Sequence, residues 1–133
     1  MFAVLSHSIV ITAFVKGGVE FIDDTYNANP DAMKAALKAL SGLPSRGRKV
    51  AVLGDMYELG GMSEQMHRDV FDYAASLRLD AVFAVGTVAS RCSCTRAFAS
   101  VEECASCRHE IFNDGDLVLL KASNAMKLGK LAE

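Results

Sequence analysis

No surplus of positive charge runs through this sequence. Fourteen Lys and Arg face sixteen Asp and Glu for a formal net charge of −2, and charged residues make up 23% of the chain. That balance offers no basic field to attract nucleic acid or an anionic lipid surface. Long unbroken apolar runs are missing too. The opening stretch MFAVLSHSIVITAFV is interrupted by Ser6, His7 and Ser8, and it lacks the basic leader and small-residue cleavage site of a secretory signal. It is neither a signal nor a membrane span, so a cytoplasmic protein is expected. No internal repeat, low-complexity tract or long linker interrupts the chain. The motifs GxxxxGK[ST], GxGxxG, HExxH and GxSxG are all absent, so the chain alone has no known triphosphate cradle and no simple nucleophilic machinery. It reads as part of a site.

Four cysteines are clustered as CSCTRAFASVEECASC, at Cys92, Cys94, Cys104 and Cys107. A CxC arm with a single CxxC is a looser match to structural zinc than two CxxC knuckles. Ordinary reduced thiols are expected, with no metal site. A metal-binding domain built on this cluster is one rival reading of the chain.

At 133 residues and 51% apolar, the sequence suffices for one domain with a sizeable core. Strands are expected at 9–15, 19–23, 49–54, 81–86 and 116–121; the last four are short apolar runs without alternation, as in strands covered on both faces. Asn29-Pro30 opens a helix with a side-chain cap and a proline at the first position, carries Met33, Ala36, Leu37 and Leu40 on one face, and ends at Gly42. A second helix from Ser63 places Met66, Val70, Phe71, Ala74 and Leu77 on one stripe. Weaker helices are expected at 87–95, 101–112 and 123–131. This alternation predicts an α/β, Rossmann-like fold, a mainly parallel sheet with helices on both faces.

Ligands of such sheets bind outside the carboxyl ends of the strands. Four connections fall there: DDTYNANP (23–30), GDMYELGGMS (54–63), GTVAS (86–90) and KASNAM (121–126). Asp24, Tyr26, Asn27 and Asn29 offer a carboxylate, an aromatic face and amides that donate and accept, a set that suits a ribose hydroxyl pair and an adenine edge. Taken singly, Asn29 is equally a turn and capping residue.

DDTYNANPDAMKAAL, VAVLGDMYELGGMSEQMHRDV and GDLVLLKASNAMKL together resemble the C-terminal domain of the Mur ligases, over residues 9–131. The resemblance implies a three-domain, ATP-dependent, amide-forming enzyme of peptidoglycan synthesis, of which residues 1–133 are the single C-terminal domain and residues 1–8 fall at the junction with the central one. It implies ATP and Mg2+, with magnesium ligands and catalytic residues outside this chain. The substrates implied are D-alanyl-D-alanine and UDP-N-acetylmuramoyl-tripeptide, and the chain alone is expected to be inactive. On the same basis Asp24 would bind the ribose, and Tyr26, Asn27 and Asn29 would line the adenine side. Asp55, Glu58, His67, Lys121 and Ser123 would face the acceptor dipeptide or support the loop beside it; His67 reads equally as a partly buried helix residue. The family's closing motif is close to K-G-S-R, whereas this chain has Ala122 and Asn124. Alanine does not take glycine's positive-φ conformations cheaply, and asparagine brings no positive charge. A stand-alone nucleotide-binding or regulatory module without turnover is the other rival.

Overall fold

The computed structural model describes the backbone of residues 2–6, 9–24 and 28–133, with side chains from Val15 onward. Among the described residues seven strands form one sheet: β1 (Phe2–Ser6), β2 (Ile9–Lys16), β3 (Val19–Asp23), β4 (Lys49–Gly54), β5 (Ala81–Val85), β6 (Arg96–Phe98) and β7 (Leu117–Lys121). Their order is β1-β2-β3-β7-β4-β5-β6. From β3 to β6 every pairing is parallel. β1 and β2 add an antiparallel edge. β2 turns into β3 through Gly17 and Gly18, both at positive φ (60° and 80°), the backbone a two-residue hairpin turn demands.

Helix α1 (Pro30–Gly42) begins where Asn29 Oδ1 accepts from Ala32 N–H at 2.9 Å. It buries Met33, Ala36, Leu37 and Leu40. Helix α2 (Ser63–Ser76) buries His67, Val70, Phe71 and Ala74, so the inward stripe is centred on His67 and not on Met66. The expected helix at 87–95 is only a 3-10 turn at Ala89–Arg91, followed by the short strand β6. That at 101–112 breaks at Cys107 into α3 (Val101–Ser106) and α4 (Arg108–Ile111). That at 123–131 is two 3-10 turns, Asn124–Met126 and Leu128–Ala132, separated by Lys127 in the left-handed region. No helix among the described residues is long and apolar enough to cross a membrane.

Alternation along the inner strands splits the core. Ala51, Leu53, Ala84 and Leu119 face α1 and α2, while Val50, Val52, Phe83 and Leu120 face α3, α4 and the last 3-10 turn. The four cysteines, all free thiols, divide between these faces: Cys92 and Cys94 pack on the first core, Cys104 and Cys107 belong to the second. They do not converge on one point. Among the described residues no three His, Cys, Asp or Glu side chains gather as a metal site.

Cys104 is fully buried, and burial, with Cys107 beside it, pushes its thiol up to about 12. A thiol held neutral by the fold adds stability that is complete below its unfolded value of 9.0 and is lost as pH rises toward the folded value. Denaturant unfolding should therefore show stability falling above pH ~9, and Cys104→Val should flatten that fall. A chelator should leave the melting temperature unchanged; a large drop would reinstate a structural metal.

Candidate functional site

The connections after β3, β7, β4 and β5 leave one edge of the sheet from adjacent parallel strands. α1 and α2, which follow β3 and β4, pack on one face. The segment after β7 crosses to the other, where Leu128 and Leu131 are buried. The connections from β7 and from its two neighbours thus leave to opposite faces, the topological switch at which open α/β sheets take ligands.

Asp24 and Lys121 meet at this point. They are 4% and 1% exposed, and Lys121 Nζ lies 3.0 Å from Asp24 Oδ2. The same ammonium donates to the Asp24 carbonyl at 3.2 Å, while Asp24 N–H continues the ladder to Leu120 O at 3.0 Å. Asp24 is thus a buried member of an ion pair, and sequence alone placed Lys121 with the acceptor group.

Asp55 is committed to the neighbouring corner. Its carboxylate accepts from the backbone N–H groups of Thr87 (2.9 Å), Val88 (3.1 Å) and Ala89 (2.8 Å). Gly86 makes this approach possible, since a Cβ there would lie 2.5 Å from the carboxylate carbon, at a φ of 127°. The Asp55 carbonyl accepts from Ser123 N–H at 3.0 Å, and Ser123 Oγ accepts from Tyr57 N–H at 2.8 Å. Tyr57 Oη in turn reaches Met126 Sδ at 3.0 Å. One carboxylate and one serine therefore tie the corners after β4, β5 and β7 together.

His67 is fully buried. Its Nε2 accepts from Met56 N–H at 2.9 Å, and Nδ1 lies 2.7 Å from the Ser63 carbonyl, so the ring carries its proton on Nδ1 and pins the loop after β4 to the first turn of α2. Glu58, on the same loop, is exposed and adopts a φ of 63°. Asn29 is exposed and caps α1. Tyr26 and Asn27 lie outside the described residues. Sequence reasoning missed Tyr57, Gly54 and Gly86; the glycines closing β4 and following β5 were the available signal, because a Gly at a strand end marks close backbone approach. A cavity of about 450 Å³ lined by Val19, Phe21, Phe112 and Leu131 contains none of the candidate residues, and Val19 and Phe21 put it toward the other end of β3.

The family model for "Mur ligase, glutamate ligase domain" matches residues 10–124. The chain belongs to the Mur ligase family. A UDP-N-acetylmuramoyl-tripeptide--D-alanyl-D-alanine ligase from Bacillus subtilis is 31% identical over 126 residues, covering 87% of this chain and 28% of that protein. The protein of the same name from Mycobacterium tuberculosis (strain CDC 1551 / Oshkosh) is 35% identical over 146 residues, covering 87% of this chain and 28% of its own length. The crystal structure of MurF ligase from Thermotoga maritima in complex with ADP superposes with a TM-score of 0.74 at 32% identity, covering 90% of this chain and 28% of that one. The Mur ligase domain described here therefore spans 28% of the length of each of these relatives.

In this Mur ligase domain Ala122 causes no backbone strain. Among the described residues, positive φ outside glycine occurs at Glu58, Arg78 and Lys127. The constraint has moved to Gly54, where a Cβ would lie 2.6 Å from Ala122 Cβ. Asn124 is exposed at the start of its 3-10 turn. Gly54→Ala should cost about 1–3 kcal/mol by overpacking, and Ala122→Gly should recover part of that loss. Additive effects in denaturant unfolding of the two singles and the double would remove the contact, since touching residues couple by about 0.5–3 kcal/mol.

Proposed function

We propose that this chain serves as the C-terminal domain of an ATP-dependent amide-forming ligase that joins D-alanyl-D-alanine to UDP-N-acetylmuramoyl-tripeptide in peptidoglycan synthesis. The observation that carries the reading is the shared edge: the segments bearing the family's motifs are the connections after adjacent parallel strands, where those connections change from one face of the sheet to the other. Asp24 is the ribose acceptor in this scheme, with Tyr26, Asn27 and Asn29 on the adenine side. Asn29 Oδ1 is used by Ala32 N–H, which leaves its amide NH2 for a ligand. Asp55, His67 and Ser123 act by holding the acceptor-side loops, because their hydrogen-bonding atoms are taken by backbone. Glu58 is the exposed carboxylate of that loop and can meet a cationic amine.

Such chemistry rests on positioning and electrostatics, and this chain contributes contacts and no catalytic residue. In this reading the metal that accompanies ATP is held by groups outside this chain, and no step here runs through it. Four free thiols accord with a reducing, cytoplasmic compartment.

The test is made in the full-length enzyme. Asp24→Asn is the informative variant, because it keeps the size of the side chain and an acceptor oxygen while removing the carboxylate charge. Replacing a charged acceptor by a neutral one should raise the KM for ATP about tenfold, with turnover at saturating ATP little changed. A lowered melting temperature with an unaltered KM would remove Asp24 from the nucleotide site. The 133-residue chain alone should release no phosphate from ATP in the presence of all substrates and magnesium, and sustained turnover by it would sink the assignment.

A further inference from the structure

Two acids are buried near opposite ends of β7, and they are satisfied in different ways. Asp116, 1% exposed, precedes the strand. Its Oδ1 accepts from Arg48 Nε at 3.0 Å, and its Oδ2 accepts from Arg48 Nη2 at 2.7 Å and from Asn113 N–H at 2.8 Å. Hydrogen bonding to this carboxylate raises the Arg48 pKa above its usual value. Every oxygen there has a directed donor, as a structural ion pair requires.

Asp24, at the other end, is different. Its Oδ2 is fully buried and receives no hydrogen bond. Lys121 Nζ is 3.0 Å away, close enough for charge attraction, but the hydrogen bond that Lys121 makes to this residue is to the carbonyl. Buried acceptors without a donor are uncommon and need a reason. Stability is a poor one, because apolar residues often replace a buried ion pair without loss. The location supplies another, since the pair lies at the carboxyl ends of β3 and β7, beside the point where the connections change face and open α/β sheets take ligands.

We propose that Lys121 is a positioning residue for the nucleotide, on the reading above that Asp24 meets the ribose. By gripping the carbonyl and facing the carboxylate of one residue, the ammonium fixes the rotamer of Asp24 and supplies the countercharge that a buried carboxylate needs. The carboxylate so held is the acceptor that the reading above gives to the ribose. Lys121 thus belongs functionally with the nucleotide group and acts through Asp24 without touching the acceptor dipeptide.

The experiment is a double-mutant cycle in the full-length enzyme, reading KM for ATP, KM for D-alanyl-D-alanine and turnover at saturation. Lys121→Met should raise the KM for ATP about tenfold or more, with the KM for the dipeptide and the saturated rate within about threefold of wild type. In the Asp24→Asn background the same substitution should change the KM for ATP by less than about twofold, because its target is already neutral. That neutral pair leaves no orphan buried charge, so it should melt close to wild type and carries the test if Lys121→Met alone fails to fold. An equal rise in KM for ATP in both backgrounds, or a rise in the dipeptide KM with that for ATP unchanged, would overturn the proposal while leaving the ligase reading standing. A wild-type enzyme that neither binds ATP nor forms the amide would remove the ligase reading itself.

Discussion

β7 is the last strand in the chain and a central one in the sheet. It inserts between β3 and β4, pairing in parallel with both, and this insertion brings Lys121 to Asp24 across 97 residues of sequence. It also seats Asp116 beside Arg48, 68 residues away. The candidate edge depends on that event: without β7 nothing would bridge the corners after β3 and β4, and the Asp55 carbonyl would have no Ser123 N–H to receive.

The parallel arrangement has a cost in unsatisfied groups at the strand ends, and the chain meets it with side chains. Asp55 closes the turn after β5 with three backbone hydrogen bonds, and His67 takes up Met56 N–H. The family resemblance left both residues either facing the acceptor or supporting the loop beside it. In the fold they are the internal braces of that corner. The side chains left outward on the loop after β4 are Tyr57, Glu58 and Met62, and these are the ones a second body can reach.

Much of the fold was legible locally. The apolar runs at 49–54 and 81–86 and the Asn-Pro start of α1 are short-range signals, and the structure realises each within about one residue. Three readings failed for reasons that are not short-range. β6 is three residues long and forms because β5 lies beside it. The segment 101–112 divides at Cys107 although its composition suits one helix. The run after β7 stays in 3-10 turns because Lys127 takes a left-handed conformation between them, and Leu128 and Leu131 are drawn into the second core.

By itself, then, the sequence determined the class of fold, the edge on which its polar corners lie, and the family motifs those corners carry, because apolar periodicity and Gly, Pro and Asn punctuation act over a few residues. Only the tertiary structure decided the partners: that Asp24 belongs to Lys121, that Asp55 and His67 are spent on backbone, that the cysteines split between two faces, and that Gly54 makes room for Ala122. Those facts depend on which strands become neighbours and on which face each side chain falls. Pairings between residues so far apart in the chain are set by the packing of the whole sheet and leave no mark on either segment alone.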